Sequence, residues 1–367
     1  MIFAAGTGGH VFPALAVARK LEQQGVPVVW VGTKKGIESR VVANTAYRFE
    51  EISIGGLRNK DLLTYLLAPV KLGLAGLQTI RLVLKHRPCA VLGMGGFVSG
   101  TGGLAAALFR RPLVIHEQNA ISGLTNRLLA PFATHILAAF PGTFARKNVE
   151  VVGNPVRKEI SRDKREHEVG DPEDRPLHVL VVGGSLGAHT LNKTVPDAVA
   201  LLEAGKRPQV WHQSGDNKLE FTQQAYDSHR IEARVDAFIE NMHDAYAWAD
   251  LVICRAGAIT VAELAIAGVG AVFVPYPYAV DDHQTANASV LVKAGAAFMI
   301  QERELNASGL AALLRDVEVH RSKVRDLAAA IRGFAKPRAA EDVAKICMQA
   351  CLKRKGEHTG LAEDPGS

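Results

Sequence analysis

Short apolar runs alternate with helix-like stretches along almost the whole chain, and this alternation limits the fold more than any other feature of the sequence. Strand-like runs occupy residues 27–32, 89–93, 112–116, 178–183, 208–212, 251–254 and 271–275. Helical patterns lie between them, at residues 13–24, 122–130, 188–203 and 259–267 among others. Because short apolar strands separated by helices are typical of buried parallel sheets, the sequence predicts an α/β protein.

The two halves of the chain begin alike. In each half an apolar strand leads into a glycine-rich turn and then a helix; the turns are residues 6–10 (GTGGH, before a helix from Pro13) and residues 183–187 (GGSLG). A charged stretch at 157–175 is the best linker candidate. The sequence therefore predicts two Rossmann-like, doubly wound domains that face each other across a cleft, with both turns at the carboxyl ends of strands, where such sheets bind ligands.

The predicted domains are residues 1–160 and residues 161–335. A C-terminal helix over 336–352 and a disordered tail over 353–367 complete the predicted organisation.

Three glycine-rich turns, at 6–10, 93–103 and 183–187, suit phosphate binding, because backbone N–H groups and a helix dipole favour an anion there. A dinucleotide site does not fit: Val11 replaces the third glycine of the fingerprint, and Thr33 begins the segment where an acid is needed. Residues 183–188 also lack the Lys-Ser/Thr of a P-loop. No Asp-x-Asp occurs, so neither a metal site nor a cofactor is predicted.

Charge and composition limit the classes of molecule that the chain could bind. The net charge is +6, and residues 62–116 contain no acid but six Lys and Arg, which indicates a local anionic partner. Aromatic residues make up only 6%, so nucleic-acid binding by stacking is not favoured. Neither a signal peptide nor a membrane-spanning run is predicted. Cys89 and Cys254 are expected as buried thiols, with no disulfide framework, which fits a reducing cytoplasm.

Eight motifs occur in a fixed order. They are GTGGHVFPA from Gly6, GMGGFVSG from Gly93, HEQN from His116, GNPVR from Gly153, GGSLGA from Gly183, FIENM from Phe238, RAGAITVAE from Arg255 and DHQTAN from Asp282. Together they resemble the MurG family over about residues 1–335. The resemblance implies a GT-B fold and inverting transfer of N-acetylglucosamine (GlcNAc) from UDP-GlcNAc to undecaprenyl-diphospho-muramoyl-pentapeptide. It also implies a place in peptidoglycan synthesis, cell shape and cell division, at the cytoplasmic face of the inner membrane.

The acceptor side is expected around the first turn. His10 suits a general base for the acceptor hydroxyl, because an imidazole titrates near neutral pH. His10 could instead bind the acceptor diphosphate together with Thr7, Gly8 and Gly9, and the sequence leaves both roles open.

The donor site is expected mainly in the second half. Backbone N–H groups at Ala258, Ile259 and Thr260 should meet the donor phosphates, opposite Ser185. The resemblance implies that Glu263 binds the ribose hydroxyls and that the backbone of Ile239 binds uracil. It further implies that Asn119 and Gln284 hold the sugar and that Arg157 lies at the donor site. The remaining predicted donor residues are Val261 and Ala262.

The segment from 57 to 87 is expected to lie on an anionic bilayer. A helical stripe of Leu66, Val70, Gly73, Leu77, Ile80 and Leu84 is predicted to pack inward. Other apolar residues lie off that stripe, including Leu63, Leu67, Leu74 and Leu82, and some of them are expected to be exposed or packed on a neighbour. The basic residues Arg58, Lys60, Lys71, Arg81, Lys85 and Arg87 would then meet anionic headgroups.

Three other functions compete with this hypothesis. Another GT-B transferase, for instance one acting on diacylglycerol, would share the donor site and differ in its acceptor. A UDP-GlcNAc epimerase has a related fold but no need for the acid-free basic stretch. A membrane-docked scaffold would need neither Glu263 nor three phosphate turns.

Overall fold

The computed structural model describes residues 1–53, 68–160, 175–184 and 187–359. The chain forms two compact units. The N-terminal unit comprises Met1–Arg157 and the segment from Pro337 onward, and the C-terminal unit comprises Lys158–Lys336. Each unit has its own parallel sheet with helices on both faces, so the predicted α/β class with two Rossmann-like domains is confirmed. Most of the predicted linker lies outside the described residues.

The sheet of the N-terminal unit has seven parallel strands in the order β3-β2-β1-β4-β5-β6-β7. They are β1 Ile2–Phe3, β2 Val29–Gly32, β3 Arg48–Glu51, β4 Val91–Gly93, β5 Leu113–Glu117, β6 His135–Ala138 and β7 Val149–Val151. The strand order reverses between β1 and β4, which is where sheets of this kind open a crevice for ligands.

Five helices connect these strands. They are α1 Gly8–Gln23, α2 Ile37–Ala43, α3 Ala68–His86, α4 Gly96–Leu108 and α5 Leu124–Leu129, which leads into a 3₁₀ turn at Ala130–Phe132. Helices α1 and α2 cover one face of the sheet, whereas α3, α4 and α5 lie side by side on the other.

Helix α1 begins five residues before the predicted start at Pro13. Thr7 is extended, and its carbonyl oxygen accepts from the N–H groups of His10 at 3.1 Å and Val11 at 3.2 Å. Gly8 is therefore the first helical residue, and the glycine-rich turn runs directly into the helix. His10 consequently lies within the first turn of α1 rather than before it.

The inward packing predicted for the stripe on α3 is wrong for Val70, Gly73, Leu77 and Leu84, whereas Ile80 is partly buried and Leu66 lies outside the described residues. Val70 and Leu77 are 60% and 55% exposed, and Leu84 is exposed as well. The buried stripe instead contains Ala75 and Thr79, whose hydroxyl donates to Thr101 Oγ1 on α4 at 3.1 Å. Small residues allow α3 to approach α4 closely, so the larger aliphatic side chains are left on the outer side of the helix. The other inward positions are Leu82, which lies off the predicted stripe, and Val83.

Glycines of α4 that had been assigned to a phosphate turn serve helix packing. A Cβ at Gly102 would lie 2.4 Å from the Phe3 ring, and one at Gly103 would lie 2.6 Å from Leu129. These positions admit no larger residue without displacement of the sheet or of α5. Within the predicted turn at 93–103, only Gly96, Phe97 and Gly100 are not buried.

The C-terminal unit repeats the topology with six parallel strands in the order β10-β9-β8-β11-β12-β13. They are β8 His178–Val182, β9 Gln209–Gln213, β10 Arg234–Asp236, β11 Leu251–Cys254, β12 Gly270–Phe273 and β13 Ala297–Met299. Its helices are α6 His189–Ala200, α7 Leu219–Ser228, α8 Met242–Trp248, α9 Ala258–Ala267, α10 His283–Lys293, α11 Ala307–Val319 and α12 Ser322–Arg332. The order reverses between β8 and β11, as it does at β1 and β4.

The C-terminal helix, α13 Ala339–Thr359, packs on the N-terminal unit beside α1. Its buried residues join the core formed by α1, and Lys20 of α1 forms an ion pair with Glu341 at 2.6 Å. The helix extends seven residues beyond its predicted end at 352.

The cysteine prediction is also corrected. Cys89, which precedes β4, and Cys351 of α13 are joined by a disulfide with their Cα atoms 4.9 Å apart. Cys254 and Cys347 are buried free thiols. Spacing along the chain did not suggest the pair, because 262 residues separate its two members.

Candidate active site

The first glycine-rich turn follows β1 at the point where the strand order reverses. Gly6 has a positive φ of 97°, which favours glycine, and the chain enters α1 two residues later. The Thr7 hydroxyl lies 3.5 Å from Nδ1 of His10. The predicted acceptor residues Thr7, Gly8, Gly9 and His10 therefore form one continuous surface around the N-terminus of α1.

The second turn, after β4, lies directly against the ring of His10. Gly95 and Gly96 have φ of 95° and 76°, and a Cβ on Gly95 would approach His10 Nε2 to 2.9 Å. The buried hydroxyl of Ser99 donates to Phe3 O, at the end of β1, at 2.7 Å. This hydrogen bond ties the second turn to β1. The imidazole is thus held between two backbone turns that both have glycine where the chain bends.

Glu38 was missed by the sequence analysis and lies beneath the first turn. Its carboxylate is fully buried and accepts from Gly6 N–H at 3.2 Å. It also accepts from Thr33 N–H at 2.9 Å and from the Thr33 hydroxyl at 2.7 Å. Glu38 belongs to α2, and its carboxylate accepts from N–H and O–H groups of the protein itself.

Asn119 lies just after β5 in a dense polar network. Both its backbone N–H and its side-chain amide donate to Glu117 Oε1, at 3.1 and 3.2 Å. The other oxygen of Glu117 accepts from Gly123 N–H and from Asn126. Glu117 is 3% exposed, so this buried carboxylate organises the loop and orients Asn119.

His116 links the same loop to the GNPVR motif. Burial lowers the pKa of His116 to about 4, so the ring is neutral at pH 7. Its Nε2–H donates to Gly153 O at 2.9 Å, which leaves Nδ1 as the acceptor for Gln118 at 3.0 Å. Arg157, four residues after Gly153, lies in the N-terminal unit with its guanidinium 5.9 Å from the ring centre of Phe12 on α1.

The turn at 183–187 follows β8 in the C-terminal unit. Gly187 has a φ of 66°, and a Cβ there would lie 1.8 Å from Ser214 O, so close packing on β9 requires glycine. Lys218 Nζ donates to Gly187 O at 3.1 Å. The predicted phosphate contact Ser185 lies outside the described residues.

Helix α9 begins directly after β11, beside that turn in the sheet order. Its first regular backbone bond runs from Val261 N–H to Gly257 O at 3.0 Å. The N–H groups of Ala258, Ile259 and Thr260 therefore belong to the first turn, which carries the positive end of the helix dipole. Ala262 follows on the next turn. The residues predicted to meet the donor phosphates lie together at this helix start.

Glu263, on the second turn of α9, is 3% exposed. The hydroxyl of Tyr246 on α8 donates to its Oε2 at 3.1 Å. A buried carboxylate needs hydrogen-bond donors, and Tyr246 supplies one of them. Tyr246 was not identified from the sequence, because nothing in the spacing links α8 to α9.

Ile239 and Gln284 lie at the carboxyl ends of two other strands. Ile239 follows β10 and is 4% exposed. Gln284, near the start of α10, accepts from Tyr276 N–H at 2.9 Å. Asp281 and Asp282, which precede α10, both have left-handed φ near 50°. Left-handed non-glycine residues are strained and cluster at functional loops.

The outer side of α3, α4 and α5 exposes an unusually large number of apolar side chains. We call this surface the apolar face; it consists of Val70, Leu72, Leu74, Leu77, Leu84, Phe97, Leu104, Leu108, Leu124, Leu128 and Phe132, all at least 40% exposed. Residues 68–149 contain a single acid, the buried Glu117, against nine Lys and Arg. Among the described residues, no helix is long and apolar enough to cross a membrane, and no cluster of His, Cys, Asp or Glu suits a metal ion.

Both units match glycosyltransferase family models. Residues 1–138 match the glycosyltransferase family 28 N-terminal domain, and residues 178–343 match the family 28 C-terminal domain. A protein of Nitrosococcus oceani is 52% identical over 95% of this chain and 98% of its own length. One of Alkalilimnicola ehrlichii is 50% identical over 95% and 98%. Both are named UDP-N-acetylglucosamine–N-acetylmuramyl-(pentapeptide) pyrophosphoryl-undecaprenol N-acetylglucosamine transferase.

Similarity to solved structures is consistent with these family and sequence matches. A crystal structure of MurG from Acinetobacter baumannii is 40% identical, with a TM-score of 0.82 over 95% of this chain and 98% of that one. A UDP-GlcNAc 2-epimerase from Neisseria meningitidis, at 13% identity and a TM-score of 0.64, shares the fold alone. With near-complete coverage at about half identity and two parallel-sheet units of the GT-B type, the chain belongs to the MurG family of glycosyltransferases.

Proposed function

We propose that this chain transfers GlcNAc from UDP-GlcNAc to undecaprenyl-diphospho-muramoyl-pentapeptide, a step of peptidoglycan synthesis. The observation that carries the proposal is similarity at about 50% identity along nearly the whole chain to proteins named for this reaction. Through that step the protein would serve cell-wall growth, cell shape and division. A nucleic-acid partner has no place in this function.

In the N-terminal unit, the proposed acceptor site is the surface formed by Thr7, Gly8, Gly9 and His10. The helix start of α1 supplies N–H groups and a dipole for the acceptor diphosphate. His10 then accepts the proton of the acceptor hydroxyl, or holds the diphosphate in place. The close contact between the His10 ring and Gly95 supports a fixed ring position.

In the C-terminal unit, the proposed donor site centres on the start of α9. The first-turn N–H groups would hold the UDP diphosphate, with Ser185 assisting, and Glu263 would accept from the ribose hydroxyls. The backbone of Ile239 would bind uracil. Val261 and Ala262 continue the donor surface, whereas Asn119, Arg157 and Gln284 are proposed to contact the sugar or its phosphates.

The chemistry is a direct displacement. The acceptor oxygen forms a bond to the anomeric carbon of GlcNAc while the bond to the UDP oxygen breaks, and the acceptor proton passes to the base. The configuration at carbon 1 inverts. Negative charge develops on the departing diphosphate, so fixed N–H groups at a helix start stabilise the transition state electrostatically. Because helix N–H groups and Arg can carry this charge, the proposed mechanism uses no metal.

UDP release tests the proposed function. With UDP-GlcNAc and the lipid-linked muramoyl acceptor, the chain is expected to release UDP in proportion to acceptor consumed. Omitting the acceptor should reduce release to background. Equal release without the acceptor, or conversion of UDP-GlcNAc to an epimer, would contradict the proposal.

Glu38→Gln is expected to reduce kcat/KM for the acceptor about tenfold or more, with UDP affinity unchanged. The glutamine has the same shape, but its NH₂ group would face either Gly6 N–H or an N–H of Thr33, so one donor meets another. Losing a charge-assisted hydrogen bond costs roughly 1.5–3 kcal/mol. Steady-state kinetics with varied acceptor measures the effect.

Glu341→Gln is the matched control for Glu38→Gln, because Glu341 is an exposed acid of the same unit that forms an ion pair with Lys20. It should behave as wild type. Wild-type acceptor kinetics for Glu38→Gln, with its fold intact by circular dichroism, would show that the buried carboxylate does not shape the turn.

We further propose that the apolar face docks the protein on the cytoplasmic leaflet of the inner membrane. Apolar side chains would enter the interface while basic residues meet anionic headgroups. Of the basic residues predicted for this role, Lys71 and Arg81 are exposed on α3. Lys85 instead pairs with Glu50 at 3.0 Å. Burial raises the pKa of Glu50, but hydrogen bonds from Lys85, His86 and Arg48 lower it overall, so Glu50 stays charged at pH 7.

Lys71→Glu with Arg81→Glu is expected to weaken binding to anionic vesicles at least tenfold and to flatten its salt dependence. Each basic residue near such a surface contributes about 1 kcal/mol. Vesicle co-sedimentation measures the loss. The control variant, Lys293→Glu with Lys345→Glu, makes the same charge change on other surfaces and should bind vesicles like the wild type. If it lost binding to a similar extent, the effect of Lys71→Glu with Arg81→Glu would be explained by net charge alone.

A further inference from the structure

Three fully buried polar side chains form a hydrogen-bonded row in the C-terminal unit. We call them the buried row: Tyr226 of α7, His212 of β9 and Asn192 of α6. The Tyr226 oxygen lies 2.9 Å from His212 Nδ1, and His212 Nε2 lies 3.1 Å from Asn192 Oδ1. Tyr226 packs in the same core cluster as Val195 and Val210. The buried row therefore crosses an apolar core, where a polar group costs free energy unless it is hydrogen-bonded.

The hydrogen bonds fix the proton positions along the buried row. The side-chain NH₂ group of Asn192 donates to Ser214 O at 2.9 Å, so the side-chain oxygen of Asn192 faces His212 as an acceptor. His212 then carries its proton on Nε2, which leaves Nδ1 to accept from the Tyr226 hydroxyl. Burial lowers the pKa of His212 to about 3 and raises the pKa of Tyr226, so both side chains are neutral at pH 7.

The buried row ends at the glycine-rich turn that follows β8. Ser214 O, which accepts from Asn192, is also the atom that a Cβ at Gly187 would approach to 1.8 Å. Gly187 N–H donates to Gly184 O at 2.8 Å. The side-chain NH₂ group of Gln213 donates to the same oxygen at 3.2 Å. The end of β9 therefore supports the described ends of the turn that is proposed to meet the UDP diphosphate.

The chemistry of the buried row favours a positioning role over a stabilising one. An apolar core of the same shape would be about as stable, because an internal hydrogen bond replaces bonds to water and gains little. A satisfied buried network instead fixes one arrangement of the elements that it joins. Here it joins α7, β9 and α6, and α6 starts two residues after Gly187.

We propose that His212 is a positioning residue for the nucleotide-sugar donor. Its Nε2–H fixes the amide of Asn192, which holds Ser214 O against Gly187, so the turn keeps the shape that binds the diphosphate. His212 acts through Asn192 rather than by touching the donor. The proposal rests on the proposed donor site in the C-terminal unit and adds a residue that controls this site from within the core.

The first arm of the test compares two amides at position 212. An asparagine side chain ends near the place of Nδ1, so His212→Asn loses the donor to Asn192. A glutamine side chain reaches the place of Nε2, so His212→Gln keeps that donor. Calorimetry with UDP should show about tenfold weaker binding for His212→Asn, from one lost hydrogen bond, and a change within about threefold for His212→Gln. Equal UDP affinities of the two variants would overturn the proposal.

The second arm asks whether the effect is confined to the diphosphate. Uridine, which has the base and the ribose but no phosphate, should bind His212→Asn as it binds the wild type. In steady-state kinetics, kcat/KM for UDP-GlcNAc should fall about tenfold while the acceptor KM stays within about twofold. Equal losses for uridine and UDP would mean general damage to the unit and would contradict a positioning role.

The control for His212→Asn is His229→Asn. His229 follows α7, is partly exposed and pairs with Asp197 of α6 at 2.9 Å. This variant should bind UDP like the wild type. If the wild type binds no UDP, the proposed donor site fails together with this inference. If UDP binds the wild type and a folded His212→Asn alike, the inference fails and the donor site stands.

A spectroscopic measurement tests the buried row in the wild type itself, so it does not depend on whether His212→Asn folds. In long-range ¹H–¹⁵N spectra of histidine-labelled protein at pH 7, the His212 signal, identified by its loss in His212→Gln, should show a neutral ring with its proton on Nε2. That signal should shift when UDP is added and stay in place with uridine. A proton on Nδ1, or a signal that ignores UDP, would overturn the proposal.

Discussion

His10→Ala is expected to lower kcat by about 10²–10⁴-fold while leaving UDP affinity at the wild-type value. The ring lies against Gly95 at the turns after β1 and β4, in the unit proposed to bind the acceptor, so its loss should not reach the nucleotide. Steady-state turnover and calorimetry with UDP measure the two quantities. The control is His320→Ala, which removes an exposed imidazole paired with Asp316, and it should leave both kcat and UDP affinity at the wild-type value.

The pH profile separates the two roles left open for His10. A general base gives an acidic limb in kcat, which the alanine variant should lose. A diphosphate ligand instead gives a raised acceptor KM that His10→Gln partly restores, because the amide still donates a hydrogen bond. Wild-type turnover with a raised donor KM would show that His10 serves the donor.

Glu263→Ala is expected to weaken UDP binding by roughly 1.5–3 kcal/mol, or about 10–150-fold in Kd. The carboxylate is 3% exposed and accepts from the Tyr246 hydroxyl, and we propose that it also accepts from the ribose hydroxyls. The loss should appear with UDP but be much smaller with inorganic diphosphate, which has no ribose. Glu232→Ala, at an exposed acid of the same unit, is the matched control.

Tyr246→Phe provides a graded comparison with Glu263→Ala. Removing the hydroxyl takes away the donor to Oε2 without changing the volume, so UDP binding should weaken by less than in Glu263→Ala. Unchanged UDP affinity in Glu263→Ala would remove Glu263 from the donor site, and the Tyr246 contact would then be structural only.

The sequence was sufficient to predict the strand–turn–helix units and to identify the residues at their turns. Gly6 and Gly187 have positive φ, and glycine is the residue that adopts it without strain, so the backbone requirement is visible in the sequence. Glu263 was identifiable because it lies in the RAGAITVAE motif. The functional roles of these residues stay predictions.

Features that depend on tertiary packing were not predictable. Glu38 reaches the first turn from α2, and no spacing rule links it to Gly6, 32 residues away. The sequence predicted that the exposed stripe of α3 packs inward. Periodicity identifies the apolar stripes of a helix, but it does not show which of those stripes faces the sheet. Small residues such as Ala75 and Thr79 face inward because they allow close contact between α3 and α4.

The start of α1 shows a different limit. Pro13 is a favoured first residue of a helix, but here the helix starts at Gly8 and accommodates the proline inside it. The N-cap geometry of Thr7, whose carbonyl accepts from two N–H groups, overrode that preference. This shift matters for function, because it places His10 on the helix rather than on the preceding loop.

Transfer of radiolabelled GlcNAc tests the central claim most directly. The purified chain is incubated with labelled UDP-GlcNAc and either undecaprenyl-diphospho-muramoyl-pentapeptide or diacylglycerol, and the lipid products are separated. The proposed function predicts label in the muramoyl lipid, with inverted configuration at the transferred carbon, and none in diacylglycerol. Label in diacylglycerol, or no label in the muramoyl lipid under conditions where UDP binds, would contradict it.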